Sequence, residues 1–323
     1  MTSASTEPGR ATEPARATGS SEAGPARPVT LAAIARASGT FAMVAMDQRE
    51  SLRTMFDAAG KGRPADDVLI DFKLAVARTL GPMASGFLID RHYGWEAVRD
   101  ANTLRGGLIL AADALEQDDG GPVEETSLDH VVTNGLTLDG VAAIKLLIIW
   151  RRDDRRAERL QLARDFIAAA RRREVLSVLE PVVRATQAEL DATTWDSDAA
   201  IREAAEELSP LGANLYKVQV PRSGVGTASE LEHACAQLGA SITGPWVVLS
   251  QGVHRGDFYA AVTAACRGGA SGFLAGRALW SDVVGADDVE GALRQVSIPR
   301  LDALCEVVDR YGRPWTSYAA QSA

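Results

Sequence analysis

The 323-residue sequence predicts a single α/β domain folded as a (β/α)8 TIM barrel. Eight short runs are continuously apolar rather than alternating, which is the pattern of parallel strands buried on both faces. Amphipathic stretches with helical spacing separate most of these runs, and eight strands alternating with helices in a chain of this length point to a closed barrel. A third observation argues against an open doubly wound sheet. The first run leads into Asp47–Gln48–Arg49–Glu50, not into the glycine-rich turn that a dinucleotide-binding sheet places there.

The elements follow in order. Residues 1–28 are rich in Ser, Ala, Thr, Pro, Gly and Glu and lack the apolar core of a signal peptide. They read as a disordered tail, too polar to bury itself, ahead of a barrel domain over residues 29–323. The expected strands are Phe41–Met46, Gly86–Asp90, Gly107–Ala111, Val141–Trp150, Val175–Val182, Ala213–Val220, Trp246–Ser250 and Ser271–Ala275. After the first strand, Leu52, Met55 and Phe56 share one helix face. After the fourth, Leu160, Ala163, Ile167 and Ala170 do so, with Arg and Asp opposite. After the seventh, Phe258, Val262 and Ala265 repeat the spacing.

Bulk composition narrows the function. With 34 basic and 43 acidic residues the net charge is −9, which argues against nucleic acid or an anionic membrane as general partners. No segment has the apolar length of a bilayer span. Cys235, Cys266 and Cys305 are scattered, without a CxxC pair; Cys235 and Cys266 fall in helix-like stretches and read as buried small apolar side chains, and the expected location is the cytoplasm. His92, His130, His233 and His254 show no HxH or HExxH spacing, so no metal is expected.

In a barrel the C-terminal strand ends build the active site. Lys217 lies inside the apolar sixth strand, where desolvation disfavours an ammonium. Such a lysine either has a partner or serves as an amine nucleophile. Lys145 is a second lone lysine, inside the fourth strand. Asp47 follows the first strand; with Glu50 it has the D-x-x-E spacing of a capping box, and it equally suits a carboxylate at the barrel mouth. Glu180 ends the fifth strand, either paired with a lysine or shuttling protons. Ser250, Gln251 and Gly252 end the seventh strand, and Gly276 and Arg277 end the eighth. The loops after strands seven and eight bind phosphate in many barrels; glycine admits close backbone approach and arginine supplies a forked charge. Ordinary turn chemistry is the alternative at both glycines. Asp47, Lys145, Glu180 and Lys217 beside an anion pocket suit carbonyl chemistry through an imine, without a cofactor.

Five segments resemble the class I aldolases that include tagatose 1,6-bisphosphate aldolase and sulfofructosephosphate aldolase. They are FAMVAMDQRE at Phe41–Glu50, IKLL at Ile144–Leu147, LEPVVR at Leu179–Arg184, LYKV at Leu215–Val218 and GFLAGRA at Gly272–Ala278. The resemblance runs from about residue 30 to the C-terminus. LLIIWR at Leu146–Arg151 and GASGFLAGR at Gly269–Arg277 are closer to the sulfofructosephosphate branch. The resemblance implies reversible cleavage of a ketose 1-phosphate to dihydroxyacetone phosphate and a three-carbon aldehyde. It makes Lys217 the Schiff-base lysine and Glu180 the acid–base residue, with Asp47 and Lys145 beside it. It assigns Ser250, Gly252, Gly276 and Arg277 to the phosphate and Gln48 to the sugar. Gln251, Gln219 and the loop Asp90–Gly94 depart from the family wording, and Arg91 in that loop is an additional candidate for the far end of the substrate. The expected substrate is a small sugar phosphate, 6-deoxy-6-sulfofructose 1-phosphate first and tagatose 1,6-bisphosphate second. A homo-oligomer stays open. The rivals are a sugar-phosphate sensor, which would bind without turnover, and an isomerase using Glu180 as base, which would form no imine.

Overall fold

The computed structural model describes residues 1–2, 29–118 and 121–319. Apart from its first two residues, the expected tail lies outside them. Among the described residues ten strands form: β1 (Phe41–Met46), β2 (Gly86–Ile89), β3 (Gly107–Ala111), β4 (Asp113–Gln117), β5 (Val123–Leu128), β6 (Val141–Trp150), β7 (Leu176–Val183), β8 (Leu215–Val218), β9 (Trp246–Val248) and β10 (Gly272–Ala275). Eight of them close into a barrel in the order β1-β10-β9-β8-β7-β6-β3-β2. Every neighbouring pair in the ring is parallel. These are the eight expected strands, with ends moved by no more than two residues. The remaining two, β4 and β5, pair antiparallel as a hairpin after β3. The sequence reading did not anticipate the hairpin.

Barrel closure depends on one close approach. Gly272 pairs with Phe41 across the β1–β10 seam at φ +141°, and a Cβ there would lie 1.9 Å from the Phe41 carbonyl oxygen. Glycine alone fits that contact.

Helices cover the outside, among them α1 (Glu50–Ala58), α2 (Asp66–Leu80), α3 (Trp95–Ala101) and α4 (Arg156–Arg172). Their buried faces match the predicted spacing. Leu52 and Phe56 of α1 are buried, as are Ala163, Ile167 and Ala170 of α4. One apolar core lies between sheet and helices. A second lies inside the barrel and is built from alternate strand positions: Phe41, Met43 and Ala45; Ile109 and Ala111; Ala143; Leu176 and Val178; Leu215; Val247; Leu274.

That alternation positions the site. Side chains two residues apart on a strand share a face. Stepping two residues on from the last inner apolar position reaches Asp47 after β1, Asp113 after β3, Lys145 in β6, Glu180 in β7 and Lys217 in β8. The polar layer is therefore the next layer of the barrel interior, at the C-terminal mouth.

Candidate active site

Lys145, Asp113, Glu180 and Lys217 are all buried. An ammonium in such a place needs carboxylate partners to offset its desolvation. Lys145 has three. Its Nζ lies 2.6 Å from Asp47 Oδ2, 2.8 Å from Asp113 Oδ2 and 3.2 Å from Glu180 Oε2. Burial works against its charge, but Asp113, Asp47 and Glu180 together outweigh it and hold Lys145 protonated well above the usual lysine range. Lys217 Nζ lies 2.7 Å from the other oxygen of the same glutamate, Glu180 Oε1. Glu180 thus bridges the two lysines. Its Oε2 is near Lys145 but makes no hydrogen bond of good geometry, so this buried oxygen has acceptor capacity to spare.

Asp47 is not a helix cap. Helix α1 begins at Glu50, with Arg49 at the cap position and no side chain capping it. The carboxylate turns instead to Lys145. Burial raises its affinity for a proton, yet the ammonium groups of Lys145 and Lys217 more than reverse this and hold Asp47 well below the usual carboxylate range. A buried cation is a stronger partner for a carboxylate than an exposed backbone N–H.

These groups line a cavity of about 430 Å³ that opens at the barrel mouth. Gln48, Ser250, Gln251, Gly276 and Arg277 line it as well. The amide oxygen of Gln48 is buried there without a hydrogen-bond partner. Gly276 gives room for that amide: a Cβ on it would lie 2.6 Å from the Ala45 carbonyl oxygen and 3.0 Å from Gln48 Nε2. Arg277 follows Gly276 directly. No carboxylate among the described residues pairs with its guanidinium, and burial lowers its pKa against the more distant pull of Asp47 and Glu180. An unpaired, mostly buried guanidinium facing a cavity is a ready acceptor for an anion. Among the described residues no three His, Cys, Asp or Glu side chains stand together as metal ligands would; the three carboxylates that converge here surround the Lys145 ammonium.

The family model for DeoC/LacD family aldolases matches residues 41–282 of the chain. The chain belongs to the DeoC/LacD family of aldolases. The tagatose 1,6-diphosphate aldolase of Listeria monocytogenes is 27% identical to it, over 87% of this chain and 91% of that protein. The tagatose 1,6-diphosphate aldolase 2 of Streptococcus pyogenes is also 27% identical, over 86% of this chain and 93% of its own. Among solved structures, the fructose-bisphosphate aldolase of Plasmodium falciparum shares the fold, with a TM-score of 0.63 at 13% identity over 87% of this chain and 94% of that one.

Two expected residues of this aldolase stand apart from the cavity lining. Arg91 turns away to pair with Asp129, itself buried and fixed by the backbone N–H of Val131 at 2.9 Å. A carboxylate within reach captures that guanidinium, so it does not face the substrate space. Gly252 sits just beyond Gln251 at φ +83°, where it forms the turn after β9.

Asp113 was not foreseen. Its Oδ2 also accepts a hydrogen bond from Leu147 N (3.2 Å), and Oδ1 accepts one from Arg49 Nη2 (3.0 Å). Arg49 in turn faces Asp90, with Nε 4.0 Å from Oδ1, and Asp90 forms a fully buried ion pair with Lys73 of α2. Opposite charges therefore alternate from Lys73 through Asp90, Arg49, Asp113, Lys145 and Glu180 to Lys217. The signal for Asp113 is present in the sequence: it lies two residues after Ala111, on the inward parity of β3.

Proposed function

We propose that this aldolase works without metal, through an imine on Lys217, and cleaves a ketohexose 1-phosphate that carries a second anionic group at C6. The products are dihydroxyacetone phosphate and a three-carbon aldehyde. The observation that carries the proposal is the contact of Lys217 with one oxygen of Glu180 while Lys145 occupies the other side of that carboxylate. It supplies an amine, a group to move protons and a fixed positive charge within one buried cluster.

The chemistry follows in balanced steps. Lys217 passes a proton to Glu180 and adds as the free amine to the C2 carbonyl; Glu180 returns that proton to the carbinolamine hydroxyl, which leaves as water to give a protonated imine. The C4 hydroxyl gives its proton to Glu180, and the C3–C4 bond breaks. Its electron pair moves into the imine to form an enamine, and C4 leaves as the aldehyde carbonyl. Glu180 returns a proton to C3, and water hydrolyses the imine to release dihydroxyacetone phosphate and the free lysine. Lys145, held charged, offsets negative charge that builds near Glu180 and the departing oxygen. Arg277, Ser250 and the turn at Gly276 receive the C1 phosphate. Gln48 and Gln251 face the sugar hydroxyls.

Two substrates meet this description. Tagatose 1,6-bisphosphate is favoured by the names of the relatives in Listeria and Streptococcus. The sulfonate analogue, 6-deoxy-6-sulfofructose 1-phosphate, is favoured by the wording of Leu146–Arg151 and Gly269–Arg277, and remains the first choice. The test is a coupled assay for dihydroxyacetone phosphate release from each. Turnover of at least one, abolished in Lys217→Ala, is expected. Intact turnover in Lys217→Ala would sink the imine mechanism, and brisk cleavage of the bisphosphate alone would sink the sulfonate assignment.

A further inference from the structure

Building on that reading of the reaction, we propose that Arg184 is the residue that recognises the C6 anion, and that it is fitted to a singly charged group such as a sulfonate. The residue lies on the inward parity of β7, two positions past Val182 and four past Glu180. Its backbone extends the ladder past the strand end, with Arg184 N donating to the Trp150 carbonyl at 2.9 Å. Beside it, Val183 N donates to Gln219 Oε1 at 2.7 Å, which fixes the end of β7 against β8. Arg184 lines the same cavity as Lys217 and Arg277, at the border with a neighbouring cavity beside Glu124 and Arg151.

Among the described residues the Arg184 guanidinium has no hydrogen-bond or carboxylate partner. Its Nε is buried without a hydrogen-bond partner. The charges that act on it are Glu124 and Arg151, which pair with each other. The other cations of the cavity wall are committed: Arg49 and Lys145 to Asp113, and Lys217 to Glu180. Among the described residues that line the cavity, Arg184 and Arg277 are the cations without a carboxylate partner.

Their placement matches a substrate with two charged ends. In the ring, β10 with Arg277 and β7 with Arg184 are three places apart, and β8 with Lys217 lies between them. A ketose bound through C2 to Lys217 sends C1 towards one guanidinium and C6 towards the other. A phosphate monoester approaches two negative charges near neutral pH, whereas a sulfonate carries one. One guanidinium with no lysine beside it balances one charge. The small apolar cluster of Ile149, Val182 and Leu249 between the ion layer and the mouth leaves little else to solvate a second.

The experiment compares kcat/KM for 6-deoxy-6-sulfofructose 1-phosphate, tagatose 1,6-bisphosphate and fructose 1-phosphate in the native protein, Arg184→Ala and Arg184→Lys. The native protein is expected to favour the sulfonate over fructose 1-phosphate by about tenfold or more, as loss of a charge-assisted hydrogen bond would imply. Arg184→Ala collapses that preference, chiefly through KM, and Arg184→Lys restores part of it. Borohydride trapping of dihydroxyacetone phosphate on Lys217 in Arg184→Ala reports that the variant is folded. A preference that survives in a trappable Arg184→Ala protein overturns the inference and spares the aldolase reading. Native preference for the bisphosphate over the sulfonate overturns the single-charge assignment. Failure of the native protein to cleave any of the three overturns the aldolase reading and the inference with it.

Discussion

At Lys145 three carboxylates share one ammonium, and the consequence for catalysis lies in the one that sequence reading did not single out. Asp113, on the wall of the same cavity, holds Lys145, and Arg49 fixes Asp113 in turn. Removing its charge while keeping its shape loosens Lys145 without emptying the site. Asp113→Asn is expected to lower kcat by roughly ten- to hundredfold, the value of about 1.4–2.7 kcal/mol of charge-assisted hydrogen bonding, with a smaller change in KM. Steady-state kinetics of the variant check this; a KM effect with native kcat would mean that Asp113 binds substrate and does not position Lys145.

At the scale of the elements, the ion pair of Lys73 and Asp90 joins α2 to the end of β2. Both side chains are fully buried. Asp90 Oδ1 also accepts from His92 N and Tyr93 N, each at 2.9 Å, so the carboxylate shapes the following turn as well. Asp90→Asn keeps an oxygen for the turn but strands the Lys73 ammonium. It is expected to cost about 3–5 kcal/mol in urea unfolding, and Lys73→Met in the same chain should recover most of it. Failure of the double variant to recover would place the loss in the turn. The barrel strands were legible because each is a short apolar run with a chemically different end. The hairpin β4–β5 was not. Its strands include Asp113, Glu116, Glu124 and Glu125, and neither shows a clean alternation of apolar and polar residues. It forms because it crosses back beside β6, where Glu125 meets Arg151 and Arg159. Those partners are distant in sequence, as is the Asp129 that takes Arg91 away from the cavity. Lone charges inside apolar runs signalled the site; which opposite charge each would meet depended on tertiary contacts.

Across the whole molecule, the acidic balance and the depressed carboxylates set a pH dependence. Burial opposes ionisation of Asp47 and Asp129, and neighbouring cations outweigh it: Lys145 and Lys217 for the first, Arg91 for the second. Arg159 and Arg36 likewise lower Asp153 and Asp309 through hydrogen bonds. A carboxyl group with a folded-state pKa below its unfolded value of about 3.9 adds stability above that value and loses it as pH falls towards the folded one. Lys145 acts in the opposite sense. Its contribution is complete below about pH 10.4 and is lost as pH rises through its elevated folded value. Urea midpoints are expected to hold near neutrality and to fall steeply below about pH 4; a midpoint that stays level down to pH 3 would contradict the charge network. The central claim is that Lys217 is the amine that bonds to substrate. Borohydride reduction of the protein with dihydroxyacetone phosphate, followed by peptide mass mapping, tests it most directly. The account predicts a reduced three-carbon phosphate adduct on the peptide containing Lys217, absent from Lys217→Ala. An unmodified Lys217 at saturating dihydroxyacetone phosphate, or an adduct on Lys145, would contradict it.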